Sequence, residues 1–180
     1  MSKKAFLLLV VALQACASSS SQPDAAANSA NSVTVSPAST PAKKSPLEGI
    51  VSASAERVEI SPGATAQAKV RLNITSGYHV NANPATEKFL IPTSLEVAPQ
   101  AGITAEKLVY PKPLTKKFSF SPAPLAVYED EATINLTLRA ARDTPPGQHL
   151  LPAKIRVQPC DDEKCYPPNT IETSVPVVIR

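Results

Sequence analysis

The chain has 180 residues, a net charge of +3 and few aromatic side chains. No basic stretch is interleaved with aromatics, so nothing supports a nucleic-acid partner. No apolar run reaches the ~20 residues that a membrane-spanning helix needs, and the length beyond the N-terminal region suits one domain with a real core.

The chain starts with a short basic head, Met1-Ser2-Lys3-Lys4, followed by nine apolar residues and then Leu13-Gln14-Ala15-Cys16. This order predicts a secretory signal peptide over residues 1–15. The Leu-x-Ala-Cys ending resembles a bacterial lipobox, which makes Cys16 the expected lipidation site. An ordinary cleaved signal with a chance cysteine is the alternative. Ala17, rather than Asp, follows the cysteine, which points to the outer membrane over the inner. Residues 17–44 are dominated by Ser, Ala, Asn, Pro and Thr and hold no aromatic residue. Such a stretch cannot bury enough apolar surface to offset its ordering entropy. Residues 16–45 are therefore expected to be a lipid-anchored, disordered flexible linker with a reach of roughly 30 Å.

Residues 46–180 are expected to be one domain. Their apolar period is two, not 3.6. Residues 66–74 and 132–140 alternate apolar and polar side chains, 154–157 repeat the pattern, and 175–179 follow it more loosely. Shorter candidate strands are 58–60, 94–97 and 107–110. Turn chemistry separates them at Ser61-Pro62-Gly63, Ser76-Gly77, Pro99-Gln100-Ala101-Gly102 and Pro145-Pro146-Gly147. Many short strands and frequent turns predict an all-β, immunoglobulin-like β-sandwich, without the Cys…Trp…Cys pattern of antibody domains.

Cys160 and Cys165 are the one internal cysteine pair open to this domain, and they are close in sequence. Closing a loop of about six residues removes only about 2 kcal/mol of unfolded-state entropy, against nearly 5 for a 100-residue loop. The pair is better explained by chemistry than by stability, with a small structural clip as the alternative. Asp161, Asp162 and Glu163 disfavour a thiolate, and Lys164 favours one; the acidic run reads equally as a solvated loop. The histidines, His79 and His149, offer a zinc site with the cysteines only in principle, because a second ligand pair of the usual spacing is missing. No metal and no cofactor are expected. His79 as the base for a lone cysteine nucleophile is disfavoured, since paired cysteines oxidise in an exported protein. Two Asn-x-Thr sequons, at Asn73 and Asn135, fall in predicted strands and read as chance.

Three segments carry a resemblance. Ser76-Gly77-Tyr78-His79-Val80 follows an alternating strand, Val127-Tyr128-Glu129-Asp130 leads into another, and Cys160 to Pro168 pairs two cysteines with a following Tyr-Pro-Pro. Over residues 47–180 the chain resembles the N-terminal periplasmic domain of DsbD-type thiol:disulfide interchange proteins, in a stand-alone lipoprotein form. Some members have five residues between the cysteines, where this chain has four, and full-length members continue into a membrane domain and a thioredoxin-like domain that this sequence does not contain. The resemblance implies a redox-active Cys160–Cys165 disulfide. Cys165 matches the cysteine that forms the mixed disulfide, and Cys160 matches the resolving one. Each exchange is attack of a thiolate on a disulfide. It also implies a loop that caps the cysteines with an aromatic ring. Phe118 or Phe120 falls near that place, with Tyr166 as a further wall; the alternative is that both phenylalanines are strand or core residues. The implied partners are a thioredoxin-like or DsbD-type membrane electron donor and periplasmic disulfide-containing proteins, with the membrane reached through the lipid anchor. The chain is then a periplasmic component of a protein-disulfide reductase. The competing expectation is a lipid-anchored immunoglobulin-like binding or assembly module whose disulfide is purely structural.

Overall fold

The computed structural model describes residues 49–180. The expectations for residues 1–15, for the linker and for Cys16 lie outside the described residues. Within them the protein is all-β, an immunoglobulin-like sandwich with no helix.

Twelve strands form three four-stranded sheets. The first sheet orders β1 (Val51–Ala55), β3 (Thr65–Ile74), β9 (Glu131–Ala140) and β6 (Ile103–Val109). The second orders β2 (Val58–Ile60), β12 (Asn169–Ile179), β10 (Gly147–Val157) and β5 (Ser94–Val97). β2 runs parallel to β12, and the other named pairings are antiparallel. Strict alternation decides which side chains face inward. Val70, Leu72 and Ile74 of β3 and Ile134, Leu136 and Leu138 of β9 are buried. They meet Leu151, Ile155 and Val157 of β10 and Val175, Val177 and Ile179 of β12 in one core. The period-two pattern read from the sequence is the pattern of burial.

The strands at 66–74, 132–140, 58–60 and 94–97 match expectation to within a residue. Three others begin earlier than expected, among them β6 at Ile103 where 107 was expected. β10 begins at Gly147, directly after Pro145-Pro146, and β12 begins at Asn169. These two strands pair along their full lengths, from Gly147↔Ile179 to Val157↔Asn169. Hydrogen bonding to a long partner extends each strand past the point where its own apolar pattern ends.

The third sheet positions the site. It orders β11 (Pro159–Cys160), β4 (His79–Asn81), β8 (Leu125–Tyr128) and β7 (Leu114–Lys116). These strands are two to four residues long, too short to show a period. The chain reaches β4 through a turn at Ser76-Gly77. Gly77 there has φ +85°, a left-handed conformation that glycine adopts without a Cβ penalty.

Candidate functional site

Cys160 and Cys165 form a disulfide across a tight turn. The turn is built by its own residues. Asp161 N–H donates to Lys164 O at 2.9 Å, and Tyr166 N–H donates to Pro159 O at 2.8 Å. Asp161 Oδ1 accepts from the N–H groups of Glu163 (2.9 Å) and Lys164 (2.8 Å), the local bonding that suits Asp to turns. Its Oδ2 accepts from the Tyr166 hydroxyl at 2.6 Å. Asp161 therefore braces the turn from inside, where the sequence suggested a solvated acidic run. Asp162 and Glu163 are the exposed acids of that run. The Tyr166 hydroxyl and the two N–H donors hold the Asp161 carboxyl at a pKa of about 2, and the same bond pushes the Tyr166 phenol up to about 12. Lys164 lies over the Tyr166 ring, 5.4 Å from its centre.

Gln158 ties the turn to the body. Its Oε1 accepts from Asn81 Nδ2 (3.0 Å) and Ile91 N–H (2.9 Å), while its Nε2 donates to Tyr166 O (3.3 Å). The backbone on both sides of the disulfide is thus fixed to β4 and to the segment before β5.

The two sulfurs sit differently. Cys160 is fully buried, and Cys165 is partly exposed. Cys165 packs against a second, smaller core made of Leu90, Phe118, Leu125 and Val127, with Phe120 beside it. Phe118 and Phe120 follow β7 in a loop. Their rings stack, with centres 5.4 Å apart, and Phe118 stacks in turn on His79 at 4.0 Å. Between the two phenylalanines, the Ser119 hydroxyl donates to Asp162 O at 2.8 Å, so the aromatic loop is fastened to the cysteine turn. An apolar groove of about 170 Å³ opens beside Phe120, lined also by Phe89, Leu90, Pro122 and Leu125. Phe89 is largely exposed at its rim.

His79 stands opposite Cys160 in the β4–β11 ladder. It is 1% exposed, and its Nε2 has no hydrogen-bond partner. Burial lowers its pKa below the usual 6.5, against the raising effect of Glu129, Asp162 and Asp161. It forms part of the wall of a polar cleft of about 270 Å³, with Tyr78, Lys116, Glu129, Asp130 and Asp162. Lys116 Nζ bonds both Glu129 carboxylate oxygens, at 2.6 and 2.8 Å, and that bond raises the lysine's pKa.

The structure therefore brings Cys160, Cys165, Phe118, Phe120 and Tyr166 into one neighbourhood. Phe118 is a core residue of the smaller cluster and stacks on His79. It lies in a loop, not in a strand. Sequence reasoning missed Gln158 and Ser119 and gave His79 no part beside the disulfide. The pairing of β4 with β11 is long-range and has no local mark in the sequence. Among the described residues, no group of three His, Cys, Asp or Glu side chains is placed to hold a metal ion. No described helix is long and apolar enough to cross a membrane.

The family model described as thiol:disulfide interchange protein DsbD, N-terminal, matches residues 48–176. No curated protein sequence matches the chain. Among solved structures, the reduced DsbD N-terminal domain of Neisseria meningitidis is 19% identical. That match covers 73% of this chain and 87% of that one, with a TM-score of 0.47. The N-terminal periplasmic domain of ScsB from Proteus mirabilis is 10% identical, over 69% of this chain and 43% of that one, with a TM-score of 0.44. A type I cohesin from Pseudobacteroides cellulosolvens is 9% identical, over 72% and 92%, with a TM-score of 0.43.

Proposed function

This chain belongs to the family of DsbD N-terminal domains, and from that premise we propose that it is a periplasmic thiol–disulfide exchange module. Electrons pass through the Cys160–Cys165 pair, from a thioredoxin-like or DsbD-type membrane donor to periplasmic disulfide-containing proteins. The observation that carries this reading is the asymmetry of the pair. Cys165 is partly exposed and packs beside the aromatic loop, whereas Cys160 is fully buried. An incoming thiolate reaches Cys165 first. It forms a mixed disulfide there, and the electron pair of the broken bond goes to Cys160. A second thiolate on the partner attacks the partner's own sulfur in the mixed disulfide and releases Cys165, leaving a dithiol here and a disulfide there. Transfer to a target runs the same steps in reverse. Phe118 and Phe120 act as the cap, which shields the sulfurs until a partner displaces it.

A purely structural clip fits less well. A disulfide closing so short a loop adds only about 2 kcal/mol, and the turn is already braced by Asp161 and Gln158. The test is trapping. With Cys160→Ala, the free Cys165 should capture a thioredoxin-like partner as a stable mixed disulfide; with Cys165→Ala, capture should be weak. Equal capture by both variants, or by neither, contradicts the assignment.

A further inference from the structure

We propose that His79 is the proton carrier for Cys160, its Nε2 taking the thiol proton when the dithiol is oxidised and returning it when the disulfide is reduced. This rests on the exchange reading above and adds to it a residue with a defined task.

Three observations support it. Cys160 and His79 are directly paired in an antiparallel ladder. Directly opposed residues project to the same face with Cβ atoms about 4.5–5.5 Å apart, which sets the His79 ring and the buried cysteine on one face of the ladder. The second observation is an orphan. Nε2 is buried without a hydrogen-bond partner, which is costly for a polar atom. In the disulfide state Cys160 has no proton to share; in the dithiol state it has. The third is the surroundings. Phe118 stacks on one ring face, 4.0 Å between centres, and His79 also contributes to the wall of the polar cleft.

The step balances. In the mixed disulfide of Cys165 with a target, Cys160 Sγ attacks Cys165 Sγ and gives its proton to His79 Nε2. The Cys160–Cys165 bond forms, the bond from Cys165 to the target sulfur breaks, and the target leaves as a thiolate that takes a proton from water. The imidazolium then loses its proton through the cleft. In the reverse direction the imidazolium protonates the Cys160 thiolate expelled from the disulfide. The charged groups facing the ring are Lys116 from β7, Glu129 and Asp130 from the β8–β9 turn, and Asp161 and Asp162 from the cysteine turn. Desolvation outweighs them and keeps the ring neutral near pH 7, the form that accepts a proton.

The experiment follows release of glutathione from Cys165 in the full chain. Reduced protein is mixed with oxidised glutathione, and the rate at which the adduct resolves to the internal disulfide is measured across the range in which histidine titrates. The wild type should resolve quickly at neutral pH and slow as the pH falls and the ring protonates. His79→Phe keeps a flat ring against Phe118 but has no nitrogen; His79→Gln keeps hydrogen bonding but cannot take a proton. Both should resolve at least about 10²-fold more slowly at neutral pH, within the range general for acid–base catalysis, and should show no inflection from histidine, their rates falling with pH only as the thiolate fraction does. Wild-type rates in either variant overturn the inference and leave the exchange reading intact. A wild-type adduct that never resolves overturns both. The wild type supplies a check that needs no variant. By NMR, the His79 ring should titrate at different pH in the oxidised and reduced proteins, and identical titrations overturn the inference.

Discussion

Asp161 accepts from two backbone N–H groups and from the Tyr166 hydroxyl, and each of these bonds favours its charged form. The pH consequences follow from the two shifts. Asp161 has a folded-state pKa of about 2, below the ordinary 3.8, so its contribution is complete above the ordinary value and is lost as pH falls through about 2. Tyr166 is raised from 10.0 to about 12, so its contribution is complete below pH 10.0 and is lost as pH rises through about 12. Asp161→Ala should return the Tyr166 phenol toward its ordinary value, read by ultraviolet titration. An unchanged phenol contradicts the bond. The sequence displayed Asp161 as one of three successive acids, and nothing in that run distinguishes it from Asp162 or Glu163. Its role depends on a turn that places Tyr166, five residues on, within reach of its carboxylate.

At the scale of elements, the site is the meeting of two loops on one short sheet. The cysteine turn leaves β11, the aromatic loop leaves β7, and Ser119 bonds one to the other. If the aromatic loop shields the sulfurs, loosening it should expose them. Phe118→Ala and Ser119→Ala should each speed reduction of the disulfide by a small thiol such as dithiothreitol, with Phe118→Ala the faster. Phe118→Ala should also cost roughly 3–5 kcal/mol of stability, as a buried ring does when removed. Rates equal to wild type in both variants contradict a shielding role. The long strands were legible because their faces differ: Val70, Leu72 and Ile74 point inward, and Lys69, Arg71 and Asn73 point outward or to the margin. The strands that build the site were not. His79, Val80 and Asn81 are all buried, so β4 has no alternation to read. Its pairing with β8 and β11 closes loops of many tens of residues.

At the scale of the whole molecule, two sheets form the sandwich core and the third carries the Cys160–Cys165 disulfide. The core reaches the site through Val80, Ala82 and Tyr128, so the disulfide stands on the core while Phe118 and Phe120 stand on a loop. The cysteine pair and its Tyr-Pro-Pro were the most informative feature of the sequence, because two cysteines so close offer little as a staple. The expected membrane anchor at Cys16 lies outside the described residues. If Cys16 is lipidated, the full chain should partition with membranes, and Cys16→Ser should release it; unchanged partitioning of that variant contradicts the anchor. The central claim is that the Cys160–Cys165 disulfide exchanges in function, and its reduction potential tests this most directly. Structural disulfides of secreted proteins lie below about −300 mV, and exchanging ones lie higher. Equilibration against glutathione or thioredoxin buffers should place this pair above about −300 mV. A potential well below that value would mark the disulfide as a structural clip and contradict the account.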